Sequence, residues 1–192
     1  MKMTQSQARN GKRQRGFSLI EMMIAMVVLA VGLGALTILF TTAMYTNTKS
    51  NKDTTATMLA QTVMEQIDAQ STNGAANFNI TDCQGTAWLV NMAPGAAPNG
   101  AGATLLPVAS NTLYGSIDPN QAYAAVPAGY AMQYVHCGAN SQQTIFDVRW
   151  NIMSANSNAR LVTVQARQNS RANSLGGQVF AYPVTLRGMS GQ

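Results

Sequence analysis

The sequence predicts an α+β fold in which one long N-terminal helix packs on a small antiparallel sheet of about four strands. Three patterns indicate this fold. Residues 17–45 are apolar, residues 46–70 continue with a helical period, and the residues after 130 largely alternate between apolar and polar side chains. The chain has 192 residues, which allows one domain beside the apolar stretch.

The apolar stretch, Phe17 to Tyr45, exceeds the roughly 20 residues that a helix needs to cross a bilayer. Basic residues concentrate on its N-terminal side. The positive-inside rule therefore places residues 1–16 in the cytoplasm and the chain after Tyr45 on the other side of the membrane. A secretory signal peptide is the alternative, but this stretch is well beyond the usual length of about 15 residues and lacks a clear small-x-small cleavage pattern.

The formal net charge of +5 is unevenly distributed. Five of the twelve basic residues precede Gly16, namely Lys2, Arg9, Lys12, Arg13 and Arg15. The chain after Gly16 then has seven basic and seven acidic side chains and is formally neutral. A polybasic surface for nucleic acid is therefore not expected on that part.

Glu21 is the only charged residue between Arg15 and Lys49. An ionisable side chain in a membrane helix costs about 2.5 kcal/mol or more and is by default functional, with a partner to be identified. Glu21 is accordingly the first candidate functional residue.

The helix is expected to continue from the apolar stretch to about Gln70, because residues 44–69 contain neither proline nor glycine. A spacing of four places one set of apolar side chains along a single face: Met58, Leu59, Val63 and Ile67. Two separate helices are the alternative. Gly32 and Gly34 are the positions where the helix is weakest, since each glycine costs about 1 kcal/mol.

Residues 71–129 are rich in Ala, Gly, Asn and Pro and show little periodicity, which is typical of a functional or mobile connection. Residues 87–90 and 104–108 are candidate short strands. Four more strands are predicted at residues 130–137, 144–152, 160–167 and 179–187, as a meander with one face exposed. Pro183 favours an edge position or a bulge for the last strand.

Cys83 and Cys137 are the only cysteines. An even count in an extracytoplasmic domain predicts a disulfide, and two free buried thiols are the alternative. With one histidine, these residues do not supply the usual four zinc ligands, so no metal is expected.

No catalytic residues and no cofactor are predicted. His136 and Cys137 are adjacent on a strand and point to opposite faces, so they do not suit a nucleophile and base pair. The Asp118-Pro119-Asn120 sequence is typical of a turn rather than of a calcium loop. Trp88 and Trp150 are expected to be packing residues. The sequence does not indicate an enzyme.

The sequence Gly16-Phe17-Ser18-Leu19-Ile20-Glu21, between a basic leader and a long apolar helix, resembles the processing site of type IV prepilins and of the related pseudopilins of type II secretion. The resemblance implies cleavage between Gly16 and Phe17 by a prepilin peptidase, which also N-methylates Phe17. It implies that Glu21 pairs with the Phe17 ammonium during assembly and sets the register between subunits.

The same resemblance implies a domain plan: a cytoplasmic leader (1–16), a membrane and filament-core helix (17–45), its amphipathic continuation (46–70), a variable loop region (71–129), and a sheet with a tail (130–192). The implied location is the bacterial inner membrane with a periplasmic C-terminal domain, and then a pilus at the cell surface. The implied partners are other major and minor pilins, the pilus assembly platform, inner-membrane lipid and a tip adhesin.

Three stretches resemble the PilV-type minor pilins, also called type IV pilus modification proteins: residues 26–34, 58–67 and 146–150. This resemblance implies a low-copy subunit that acts in initiation, at the tip, or in adhesion. The alternatives are a minor pseudopilin of type II secretion, a major pilin, and a membrane-anchored binding protein with no filament role.

Overall fold

The computed structural model of the protein describes residues 16–70, 77–106, 115–138, 143–169 and 183–191. The leader residues 1–15 lie outside this range, as do residues 107–108 and 179–182 of two predicted strands. The chain divides into two compact units, Met1–Asn47 and Thr48–Gln192. Over the described residues, the element order is one long helix followed by seven strands, with a short 3-10 turn at Tyr123–Ala125.

The prediction of one long helix is confirmed, since α1 runs without a break over Leu19–Asp68. It begins two residues after the predicted start at Phe17 and ends two residues before Gln70. In the first unit every described side chain of α1 is exposed, and α1 is long and apolar enough to cross a membrane. Gly32 and Gly34 do not interrupt it.

The second unit contains two antiparallel sheets. The smaller sheet pairs β1 (Phe78–Thr81) with β2 (Ala87–Val90). The larger sheet contains β3 (Ala101–Gly102), β4 (Ala131–Cys137), β5 (Gln143–Asn156), β6 (Ala159–Gln168) and β7 (Val184–Gly191). The strands β4 to β7 form the predicted meander, while β3 and β4 share one edge of β5.

The large sheet thus has the four strands of the predicted meander and, in addition, the short β3. The short segment 87–90 is a strand as predicted, but the strand expected at 104–108 lies earlier, at β3, with Leu105 making only an isolated bridge to Ile117. The last strand begins at Val184, directly after Pro183, and it is an edge strand. A proline at this point removes no hydrogen bond from the ladder.

The core lies between one face of the large sheet and the part of α1 in the second unit. The sheet contributes alternating apolar side chains. Those of β5 lie opposite those of β6 as cross-strand partners, for example Trp150 opposite Val164 and Ile152 opposite Val162. From α1 the core takes four buried residues: Ala56, Ala60, Val63 and Ile67. The predicted apolar face was thus partly wrong, because Met58 is 60% exposed. Ala56 and Ala60 are buried in its place.

The expectation that the other face of the sheet is exposed was also wrong. Its polar side chains are buried at 1–5% exposure: Asp147, Arg149, Asn151, Thr163 and Gln165. Arg149 and Asn151 on this face meet the described parts of the chain between β2 and β4. We call these parts, residues 91–106 and 115–126, the outer segment.

Candidate functional site

The N-terminal site consists of the three residues before α1 and the first turn of that helix. Gly16, Phe17 and Ser18 are non-helical and exposed, and Phe17 is 81% exposed. The carbonyl oxygen of Ser18 accepts hydrogen bonds from the backbone N–H groups of Glu21 at 3.0 Å and Met22 at 3.2 Å, and so starts the helix. The bond between Gly16 and Phe17 therefore lies outside the helical hydrogen-bond ladder.

Glu21 lies in the first turn of α1, with an exposed side chain. The unpaired N–H groups of a helix N-terminus carry a partial positive charge, so a carboxylate in the first turn is favoured by roughly 0.3–1 kcal/mol. This local effect helps to explain why an acidic residue is tolerated at this point of an apolar helix. It leaves the carboxylate oxygens accessible to a cation from another group.

Gly32 and Gly34 lie inside α1 with helical backbone. A Cβ atom added at either position would meet no other atom within 4 Å. Neither glycine is therefore required by a close contact within the described residues, and their predicted role in helix flexibility stays a prediction.

Sequence reasoning missed a set of hydroxyl groups on the same part of α1. They belong to Thr37, Thr41, Thr42 and Thr46. Each hydroxyl donates to the backbone carbonyl oxygen four residues earlier, and that of Thr41 also donates to the carbonyl oxygen three residues earlier, at 2.8–3.1 Å. A hydroxyl that is satisfied within its own helix can face an apolar medium at little cost. The spacing of threonines in a long apolar helix was the available signal.

Cys83 and Cys137 form a disulfide, with their Cα atoms 5.9 Å apart. Cys83 follows β1, and Cys137 ends β4, so the bond ties the small sheet to the large one. Both cysteines are exposed.

Asp82 organises the turn beside this disulfide. Its Oδ1 accepts the N–H groups of Gln84 and Thr86, each at 2.9 Å, and its Oδ2 accepts the indole N–H of Trp88 at 3.2 Å. Burial acts to raise the pKa of Asp82, but these hydrogen bonds and one to the backbone of Val135 outweigh it, so the pKa lies below its ordinary value of 3.8. Trp88 is half-buried, and the hydrogen bond from its indole N–H to Asp82 satisfies its polar group.

The other residues singled out in the sequence have structural roles. Trp150 is fully buried, and the His136 ring lies 6.4 Å from that of Phe146 in an edge arrangement. Asp118 forms the expected turn, since its Oδ1 accepts the N–H of Asn120 at 2.8 Å. Within the described ranges, no three His, Cys, Asp or Glu side chains lie close enough together to hold a metal ion.

A charged cluster that the sequence did not indicate lies under the outer segment. Arg149 binds Asp147 through two hydrogen bonds, Nε to Oδ1 at 2.9 Å and Nη2 to Oδ2 at 2.6 Å. Arg167 also donates to Oδ2, through Nη2 at 3.1 Å. Asp147 and Arg149 are two residues apart on one strand, and Arg167 is the register partner of Asp147 on β6. This spacing within one strand was the only signal available in the sequence.

Comparison with known proteins is informative for the N-terminal site. Residues 11–37 match the family model described as the prokaryotic N-terminal methylation motif. Comparison with the curated proteins and with the solved structures finds no match. The matched residues include Gly16, Phe17 and Glu21, and they lead into a long helix that packs on antiparallel sheets. The motif and this architecture together support a type IV pilin-like family for the chain.

Proposed function

We propose that the protein is a pilin that a prepilin peptidase cuts between Gly16 and Phe17 and then N-methylates at Phe17. The observation that carries this proposal is the exposed, non-helical Gly16–Phe17 bond within the matched motif. A peptidase needs an extended backbone at the bond it cuts, and a bond inside α1 would first require unwinding of the helix. Cleavage here also removes the basic leader.

The membrane placement follows from the charges. The leader keeps the N-terminus in the cytoplasm by the positive-inside rule. The apolar part of α1 spans the inner membrane, and the second unit folds in the periplasm, where disulfides form. The exposed apolar side chains of the first unit support this placement, because they would otherwise face water on all sides of the helix.

Glu21 is the residue that we expect to set subunit register. Cleavage creates an ammonium group at Phe17, four residues before Glu21. An ammonium and a carboxylate each cost several kcal/mol in an apolar bundle when alone, and much of this cost is offset when they meet. A pair of this kind favours one register over others, and its net contribution to stability is small.

Among pilins, a minor subunit of a type IV pilus is our choice. Its support is the resemblance of residues 26–34, 58–67 and 146–150 to the PilV-type minor pilins. In this role the protein is extracted from the inner membrane in low copy by the assembly platform and joins other pilins. It acts in initiation, near the tip, or in adhesion together with a tip adhesin.

The processing step is tested with Gly16→Phe in cells that contain the peptidase. We expect the wild type to lose residues 1–16 and gain one methyl group, and the variant to keep the precursor mass. Gly11→Phe, a change at the other leader glycine, is the matched control and should be cleaved normally. Cleavage of the Gly16→Phe protein at the same bond would contradict the proposal.

The choice of a minor subunit is tested by quantitative mass spectrometry of sheared, purified filaments. A small ratio of this chain to the main subunit supports the proposal. An abundance equal to that of the main subunit identifies a major pilin. Absence from pili, together with cross-links to secretion-channel components, identifies a pseudopilin.

A further inference from the structure

The polar face of the large sheet presents a packing problem. Asp147, Arg149 and Asn151 are 5%, 3% and 2% exposed, although each carries groups that water would hydrate strongly. Burying such groups is unfavourable unless each finds a hydrogen-bond partner. The partners on the covering side therefore show what holds the outer segment in place.

Three side chains on the polar face of the sheet donate to the outer segment, and every acceptor is a backbone carbonyl. Asn151 donates through Nδ2 to the carbonyl oxygens of Asn99 at 3.0 Å and Ala103 at 2.8 Å. Arg149 and Arg167 donate through Nη1, to Gln121 at 2.6 Å and to Pro119 at 2.7 Å.

Two aromatic side chains of the second unit repeat the pattern at the start of the outer segment. The indole N–H of Trp150 donates to the carbonyl oxygen of Asn91 at 3.1 Å. The hydroxyl of Tyr130 donates to the carbonyl oxygen of Ala93 at 2.6 Å. A carbonyl group is common to all twenty amino acids, so these six hydrogen bonds do not depend on which side chains the outer segment carries.

The arginine donors are held in position before they meet the carbonyls. Asp147 accepts two hydrogen bonds from Arg149 and further hydrogen bonds from Arg167. A carboxylate that binds a guanidinium through two parallel hydrogen bonds fixes its plane. The remaining N–H groups of both arginines are therefore aimed at residues 119–121.

The side chains of the outer segment differ in how freely they can change. Asn91, Asp118 and Gln121 accept hydrogen bonds from backbone N–H groups of the segment itself and are not free to change. A few others are buried and must fit: Met92, Ala103 and Ile117. Gly95 and Gly100 are also restricted, because a Cβ on Gly95 would collide with the backbone of Gly100, and Gly100 has φ +68°. The exposed side chains include Ala96, Ala97, Pro98, Asn99, Asn120, Ala122 and Ala124.

We propose that the donor side chains of the sheet form a template that fixes the backbone of the outer segment through its carbonyl groups, so that the exposed side chains there can change without changing its shape. Asn151, Arg149 and Arg167 are the positioning residues of this template. Substitutions at the exposed positions of the outer segment then change its surface chemistry while the fold below it stays constant.

The test compares two variants of the full chain in detergent by amide hydrogen exchange. The first variant changes four exposed side chains, Ala96→Thr, Asn99→Ser, Asn120→Ser and Ala122→Thr. The second, Asn151→Leu, removes both Nδ2 hydrogen bonds while keeping the number and the branching of the side-chain heavy atoms. The reporters are the amides of Gly95, Gly100 and Ala103, which donate to Ile152, Ala96 and Trp150. The amide of Val164 in the centre of β6 reports on the intact fold.

We expect the four-site variant to exchange at the reporter amides within about twofold of the wild type. Asn151→Leu should speed their exchange about tenfold or more, as expected when hydrogen bonds that hold a local segment are lost, and leave Val164 unchanged. Equal acceleration in both variants would overturn the proposal, and so would no acceleration in Asn151→Leu.

Arg167→Met provides a second route in case Asn151→Leu does not fold. The Arg167 side chain is 31% exposed, so its loss is tolerated more easily. Its reporters are the amides of Asp118 and Gln121, which donate to Thr104 and Asp118. Faster exchange at these amides, with Val164 unchanged, supports the template. Unchanged exchange there would contradict it.

Discussion

Arg160 of β6 donates through Nη2 to the carbonyl oxygen of Ile67 at 2.6 Å, and the same nitrogen donates to Gln70 at 2.9 Å. The last carbonyl groups of a helix have no partner inside the helix and carry a partial negative charge. The last turn of α1 has no basic residue of its own. A buried arginine from the neighbouring sheet, 3% exposed, therefore caps the C-terminal end of α1.

Arg160→Met should lower the free energy of unfolding by about 1–3 kcal/mol, since two hydrogen bonds from a charged donor are lost and the carbonyl oxygen of Ile67 keeps only its 3.3 Å bond from the N–H of Gln70. Methionine keeps most of the apolar contact, so the loss reports on hydrogen bonding. Denaturant unfolding of the detergent-solubilised chain, followed by near-ultraviolet circular dichroism, measures it.

Arg187→Met is the matched control, because Arg187 is an exposed arginine on β7. We expect its effect to stay within about 0.5 kcal/mol, as is usual for surface positions. Equal losses in the two variants would mean that Arg160 contributes no more than an ordinary surface arginine.

Loss of the disulfide should destabilise the second unit strongly. The bond closes a separation of 54 residues, which chain-entropy estimates value at about 4 kcal/mol. The double variant Cys83→Ser/Cys137→Ser should therefore unfold at a clearly lower temperature than the wild type. Because both sulfurs belong to exposed residues, a mild reductant should bring the wild type to the same transition and leave the variant unaffected. A wild type that is indifferent to complete reduction would contradict this.

Asp82 and Asp68 should give pH dependences of opposite sign. Burial acts to raise the pKa of Asp82, but four hydrogen bonds lower it overall below 3.8. Its stabilising contribution is thus present above pH 3.8 and is lost as the pH falls through the lowered value. Burial raises the pKa of Asp68, against the attraction of Arg160 and a hydrogen bond with Ser190. Its contribution is largest below pH 3.8 and is lost as the pH rises through the raised value.

Melting temperatures between about pH 2 and 7 test these signs. Asp82→Asn should lower the melting temperature at neutral pH and flatten the acid side of the profile. Asp68→Asn should flatten the profile above pH 3.8, where the wild type loses the contribution of Asp68. The two variants serve as controls for each other. If both substitutions shift the melting temperature at neutral pH in the same direction, the predicted opposite signs are wrong.

The sequence predicted the elements that depend on local pattern. The single helix follows from residues 44–69, which lack proline and glycine, and the alternation in β5 and β6 predicted both strands to within a few residues. The prediction failed for Met58 because the spacing of apolar residues identifies the apolar side of a helix but not which of these residues are buried. Ala56 and Ala60 enter the core together with Val63 and Ile67.

The sheet was predicted to be exposed on one face because the side chains there are polar. What covers that face is a segment without periodicity, so nothing in the sequence indicated that it would pack. Its contacts with Asn151 and Arg149 are made by backbone carbonyl groups, which every residue has, so these contacts do not require particular amino acids in the segment. The role of Arg160 was hidden for the same reason, since its acceptors are carbonyls 93 and 90 residues earlier in the chain.

Glu21→Ala should leave the protein made, cleaved and inserted in the membrane, but reduce its incorporation into filaments at least about tenfold. The reason is that the Phe17 ammonium then enters an apolar bundle without a partner, and only about 1.4 kcal/mol is needed for a tenfold change. Quantitative mass spectrometry of sheared filaments against the membrane fraction measures the ratio. Thr37→Ala is the matched control, because that hydroxyl is already bonded to Leu33 within α1 and its removal leaves no group unpaired elsewhere. If Glu21→Ala is incorporated as well as Thr37→Ala, the carboxylate does not set the register, and the acidic residue serves only the N-terminus of its own helix.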